Sequence, residues 1–108
     1  MPSQRKHEKV DDLLRDLAGD FINRQSNRIS LITPTRVVTS NDFGKATIFV
    51  SVFPDSEEEN ALNFLKRARS ELRDYLKEHS KLRIVPFVDF EIDLGEKNRQ
   101  RVEDISSR

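Results

Sequence analysis

Lys66, Arg67, Arg69, Arg73, Lys77, Lys81 and Arg83 put seven cations into residues 61–83, against three acids, Glu71, Asp74 and Glu78. Spacing gives this cluster its chemistry. On a helix advancing about 100° per residue, Lys66, Arg69, Arg73 and Lys77 share one face, and no acid interrupts the row. Cations held in a line can follow a phosphate backbone, each neutralised phosphate adding a salt-sensitive increment to affinity. Ala68-Arg69-Ser70 stands in the middle of the row, and its small side chains let a backbone or a ribose come close. A plainer reading of the same residues is a solvated face laced with pairs such as Arg67 and Glu71, with Ala68 in ordinary helix packing. Composition and spacing leave both open.

Other chemistries find little support. The two histidines, His7 and His79, have no partner at metal-ligand spacing, and His79 suits the C-terminal end of a helix, where a cation meets the negative pole of the dipole. Asp11 and Asp12 are neighbours on a helix and point to different sides, which fits a solvated face better than an acid–base pair. The three glycines, Gly19, Gly44 and Gly95, make no phosphate-binding loop. With no cysteine, thiolate ligands, disulfides and cysteine nucleophiles are excluded. The expectation is a chain without metal, cofactor or catalytic site.

The 108 residues suit one domain, and 35% apolar against 35% charged residues is polar but foldable. Net charge is zero, which argues against a non-specific polycation while allowing a basic face. Arg5, Lys6, Lys9, Arg24, Arg28 and Arg36 are second-tier cations for that face. No stretch approaches the roughly 18 apolar residues of a membrane span, and the basic N-terminus lacks the apolar run of a signal peptide. A cytoplasmic protein is expected.

These side chains need elements to position them. Val10, Leu13, Leu14, Leu17, Phe21 and Ile22 recur at helical spacing and predict an amphipathic helix over 8–23, after a loose N-terminus. Residues 29–39 and 45–53 read as strands, with Ser40-Asn41-Asp42-Phe43-Gly44 as a hairpin turn. Pro34 places the first strand at an edge or at a bulge. Asp55 or Ser56 is positioned to cap a helix, followed by Glu57, Glu58 and Glu59, which oppose its dipole. The stripe Ala61, Leu62, Leu65, Ala68, Leu72, Tyr75 and Leu76 continues to about residue 79 as one helix or two. Residues 84–93 form a third strand. Residues 1–94 are expected to make the domain, and 95–108 a tail or weak helix. The order implies an α+β two-layer domain, with one parallel strand pairing permitted.

Several of these pieces together resemble the ribosome-binding factor A family, bacterial assembly factors of the small ribosomal subunit. They are Val37-Val38-Thr39-Ser40-Asn41-Asp42-Phe43 with Ala46-Thr47-Ile48-Phe49-Val50-Ser51, then Ala61 and Leu65 leading to Ala68-x-Ser70, then Leu82-Arg83-Ile84-Val85-Pro86 with Phe90 and Asp93. The resemblance implies a type II KH-like fold, helix–strand–strand–helix–kink–helix–strand, with a three-stranded sheet and a kink at Ala68, Arg69 and Ser70. Ser70 stands where the family carries glycine, and its hydroxyl is suited to cap a new helix start. The Asp-Pro usual before the first strand is missing.

The resemblance further implies a monomeric, non-enzymatic factor that binds free, immature small subunits through ribosomal RNA and assists maturation of the RNA 5′ end. A release GTPase is a possible partner under the same resemblance. Lys66, Arg67, Arg69, Ser70, Arg73, Lys77, Lys81 and Arg83 are the expected RNA contacts, with Arg83 alternatively paired to Asp89 or Glu91. Two other classes remain open on the residues alone: a general KH-type binder of single-stranded RNA, and a ferredoxin-like protein-interaction module.

Overall fold

In the computed structural model, which describes residues 2–25 and 31–96 and side chains from residue 6 onward, apolar periodicity becomes three helices on one face of a sheet. Helix α1 spans Pro2–Arg24, longer than the apolar stripe alone predicts. Proline suits its first position, where a backbone donor would have no helical partner. His7 therefore stands on a formed helix and not in a loose terminus. Val10, Leu14, Ala18, Phe21 and Ile22 make the buried side of α1.

Strand β1 (Leu31–Thr39) pairs antiparallel with β2 (Lys45–Phe53), and β2 pairs parallel with β3 (Phe87–Ile92), giving the order β1-β2-β3. Both readings of Pro34 hold together: β1 is an edge strand, and its register shifts between Pro34 and Arg36, leaving Thr35 as the extra residue. Strand β3 begins later than expected, at Phe87, because residues 80–86 run irregularly up to the buried Pro86.

The period-two pleat sorts the side chains of the sheet. Ala46, Ile48, Val50 and Val52 of β2, with Val88 and Phe90 of β3, pack beneath the helices. Thr47, Phe49 and Ser51 point to the other, uncovered side. Leu14, Leu65, Leu72 and Leu76 are fully buried, each contributing about 1.5–3 kcal/mol through loss of apolar surface to water.

A single 3₁₀ turn, Asp55–Glu57, precedes α2 (Glu58–Arg67). The helix starts after Asp55 and Ser56, with Glu57 at its N-cap position, and the Glu57 side chain makes no cap bond. The Glu57 amide instead donates to Pro54 O at 2.9 Å within the tight turn. Helix α3 (Arg69–His79) follows directly. Leu94–Glu96 turn helically beyond Asp93, and the rest of the expected tail, 97–108, lies outside the described residues.

Candidate nucleic-acid interface

The cationic row is divided between two helices. Ala68, at φ −88° and ψ 3°, separates α2 from α3. Its amide is shared between Phe64 O and Leu65 O, both at 3.1 Å, and its carbonyl accepts the Leu72 amide at 2.9 Å. The break thus leaves the Ala68 amide and carbonyl satisfied. Ala68 is buried, so a small side chain is what the packing admits. Ser70 lies inside α3, exposed, and makes no cap bond. The expected cap fails because α3 begins at Arg69, placing Ser70 past the position from which a side chain folds back to a free amide.

Arg69 and Arg73 reach from α3 to the free edge of β3, and both are engaged there. Arg69 Nε donates to Lys66 O at 3.0 Å, covering a carbonyl at the C-terminal end of α2, and its Nη1 sits 3.5 Å from Asp89 Oδ1. Asp89 Oδ1 also accepts the Phe90 amide at 2.9 Å. Arg73 donates through Nε and Nη2 to Val85 O at 3.4 and 3.1 Å, and its guanidinium carbon stands 4.1 Å from the Phe87 ring centre. Asp89 is therefore partnered by Arg69, the alternative considered for Arg83 having gone to a helix residue. A groove of about 400 Å³ lies between α3 and β3, lined by Arg69, Ser70, Arg73, Asp74, Phe87 and Val88.

Lys66 and Arg67 of α2, Lys77 of α3, and Lys81 and Arg83 of the 80–86 segment are exposed. Lys66 also lines a second depression, of about 450 Å³, with Arg36, Phe49 and Leu62. There Arg36 lies 3.8 Å from the Phe49 ring centre, and its Nε is 3.5 Å from Asp93 Oδ2. Asp93 is buried and accepts hydrogen bonds from the Thr35 hydroxyl and the Glu96 amide. Those two donors, with Arg36 as a lesser contribution, hold its carboxyl below the usual carboxylate range.

The remaining second-tier cations are scattered. Lys6 approaches Phe43 at 5.7 Å from the ring centre, Lys9 is exposed on α1, and Arg24 lies 5.4 Å from the Tyr75 ring centre. Arg28 and the Arg5 side chain lie outside the described residues. His7 stacks on Phe43 at 4.0 Å, and its Nδ1 meets the Thr39 hydroxyl at 2.8 Å, which donates in turn to Asp11. His79 stacks on Tyr75 at the end of α3, its Nδ1 2.9 Å from Tyr75 O. Among the described residues no group of three or more carboxylates and histidines is placed to hold a metal ion, and no helix is long and apolar enough to cross a membrane.

Sequence reasoning missed Phe87. Its neighbours Pro86 and Val88 are buried, yet Phe87 itself is 66% exposed on the uncovered side of the sheet. Alternation from Val88, Phe90 and Ile92 already put position 87 outward; an apolar residue there was the available signal.

Comparison with known proteins agrees with the fold. The family model described as ribosome-binding factor A matches residues 6–106. The chain is similar to the crystal structure of ribosome-binding factor A from Thermus thermophilus, with TM-score 0.72 and 24% identity over 80% of this chain and 94% of that one. It is also similar to the solution structure of a putative ribosome-binding factor A from Thermotoga maritima, with TM-score 0.68 and 19% identity over 78% and 83% of the two chains. A Thermus thermophilus ribosome-binding factor A homology model, fitted into the cryo-EM map of its 30S complex, gives TM-score 0.67 and 26% identity over 75% and 88%.

Proposed function

The chain belongs to the ribosome-binding factor A family, and from that premise we propose that it binds free, immature small ribosomal subunits through ribosomal RNA along the α3–β3 edge. The observation that carries the reading is a groove of this KH-like domain walled by Arg69, Ser70 and Arg73, with Lys66 and Arg67 of α2, Lys77 of α3, and Lys81 and Arg83 of the segment before β3 all exposed. A relative fitted into a 30S complex supports the same class of partner. The factor acts by binding, without catalysis, as a monomer in the cytoplasm. It assists late maturation of the RNA 5′ end, and a GTPase releases it.

Among the expected contacts, the grip on RNA is assigned to the exposed lysines Lys66 and Lys77. Arg69 and Arg73 anchor the groove wall, whereas Lys66 and Lys77 keep their charge toward solvent. Sedimentation of the tagged protein with ribosomal particles tests the proposal. At low salt the protein is expected to travel with free small subunits, and Lys66→Glu with Lys77→Glu is expected to abolish this while leaving the fold intact. Migration away from ribosomal particles at low salt would remove the assembly-factor reading.

A further inference from the structure

We propose that Phe87 is a stacking platform for one unpaired base of the bound RNA, with Arg73 as the fixed backing of its ring and Lys45 beside it for a phosphate. This rests on the RNA-binding reading above and specifies the ligand: a nucleotide in a loop, bulge or unpaired end, not a duplex.

Three observations converge on the ring. The pleat forces Phe87 outward at the sheet edge, where 66% of it remains exposed. Its backbone is held in place, because its amide donates to Gly44 O at 2.9 Å. One side of the ring is occupied by the Arg73 guanidinium at 4.1 Å, and that guanidinium is oriented by its bonds to Val85 O. A ring fixed in this way loses little freedom when a base settles on its open side. Planar contact between a base and an aromatic ring is available to every base and is withheld from bases already stacked in a duplex.

The surroundings suit a nucleotide. Lys45 is the cross-strand neighbour of Phe87 in the β2–β3 pairing and is exposed on the same side. The groove beyond the ring carries Arg69 and Ser70, within reach of the sugar–phosphate chain that follows.

The chain has no tryptophan, so Phe87→Trp introduces a sole indole reporter. The test uses the full chain, a labelled single-stranded adenine octanucleotide, an RNA duplex of similar length, and free small subunits. Phe87→Ala and Phe87→Leu are expected to weaken octanucleotide binding about tenfold. Leucine keeps an apolar group and lacks the flat face, so its loss identifies stacking. Phe87→Trp should bind at least as well as the parent, with emission quenched by the octanucleotide and not by the duplex.

Parent-like octanucleotide binding by Phe87→Leu, or unquenched emission at saturation, would overturn the proposal. If Lys66→Glu with Lys77→Glu still abolished binding in that event, the RNA-binding reading would stand without the stack. Weaker subunit binding with unaltered octanucleotide binding would assign the ring to a protein contact and equally overturn it.

Discussion

Asp93 is the buried charged side chain among the described residues, and its surroundings favour the ionised form. The Thr35 hydroxyl contributes most, then the Glu96 amide, then Arg36, together outweighing the cost of burial. Its folded pKa is thus below its unfolded value. The corresponding stability is fully present above the unfolded pKa, near 4, and is lost as pH falls through the folded one. Asp93→Asn keeps an oxygen for the Glu96 amide, and the Thr35 hydroxyl can turn to Phe49 O and accept from the new NH₂, so what is lost is the charge that strengthened these bonds and faced Arg36. We expect a loss of about 1 kcal/mol in urea unfolding at neutral pH. The acid limb of the stability profile should flatten below pH ~4, because the group that titrated there is gone. An unchanged limb in Asp93→Asn would place the acid sensitivity elsewhere. Thr35 also shows why a residue's role can hide in its neighbour: Pro34 announced the bulge, and the bulge turned the Thr35 hydroxyl toward Asp93.

At the scale of elements, the break between α2 and α3 depends on Ala68 and the backbone around it, with Ser70 a passenger in the first turn of α3. Ser70→Ala consequently should not cost the ~1 kcal/mol of a lost cap. It should raise stability by up to ~0.5 kcal/mol through helix propensity. Thermal unfolding distinguishes the two, since the expected shifts have opposite signs. Ser70→Gly, which restores the family's residue, should destabilise by a similar amount and leave the break in place. The strands, the hairpin and the apolar stripes were legible because period two and period 3.6 are written in residues whose burial they determine. The position of the break was legible only from the family resemblance, since Leu65, Leu72 and Leu76 continue the stripe through it. Capping at Ser70 was misread because a good cap residue works one place before the helix, and α3 begins at Arg69 with Ala68 in that place.

Across the whole molecule, zero net charge is spread unevenly. Arg69 and Arg73 line the flank of α3 toward β3 together with one acid, Asp74, while Glu71 and Glu78 lie further round the helix. The uncovered sheet side balances Arg36 and Lys45 with Asp89 and Glu91. Counting cations therefore overstates the grip on RNA, because a guanidinium already holding a carbonyl and a ring releases few counterions when a phosphate arrives. The salt dependence of binding measures this distinction. For single-stranded RNA, each phosphate neutralised contributes about 0.7 to the slope of log affinity against log salt. Lys66→Ala and Lys77→Ala should each flatten that slope by about 0.7. Arg73→Ala should lower affinity with a clearly smaller change in slope, since it removes the backing of Phe87 more than a phosphate contact. Titrations of the adenine octanucleotide at several salt concentrations resolve the three variants. Equal slope changes in all three would mean that the row acts as undifferentiated charge and that the Arg73 contacts give way when RNA binds.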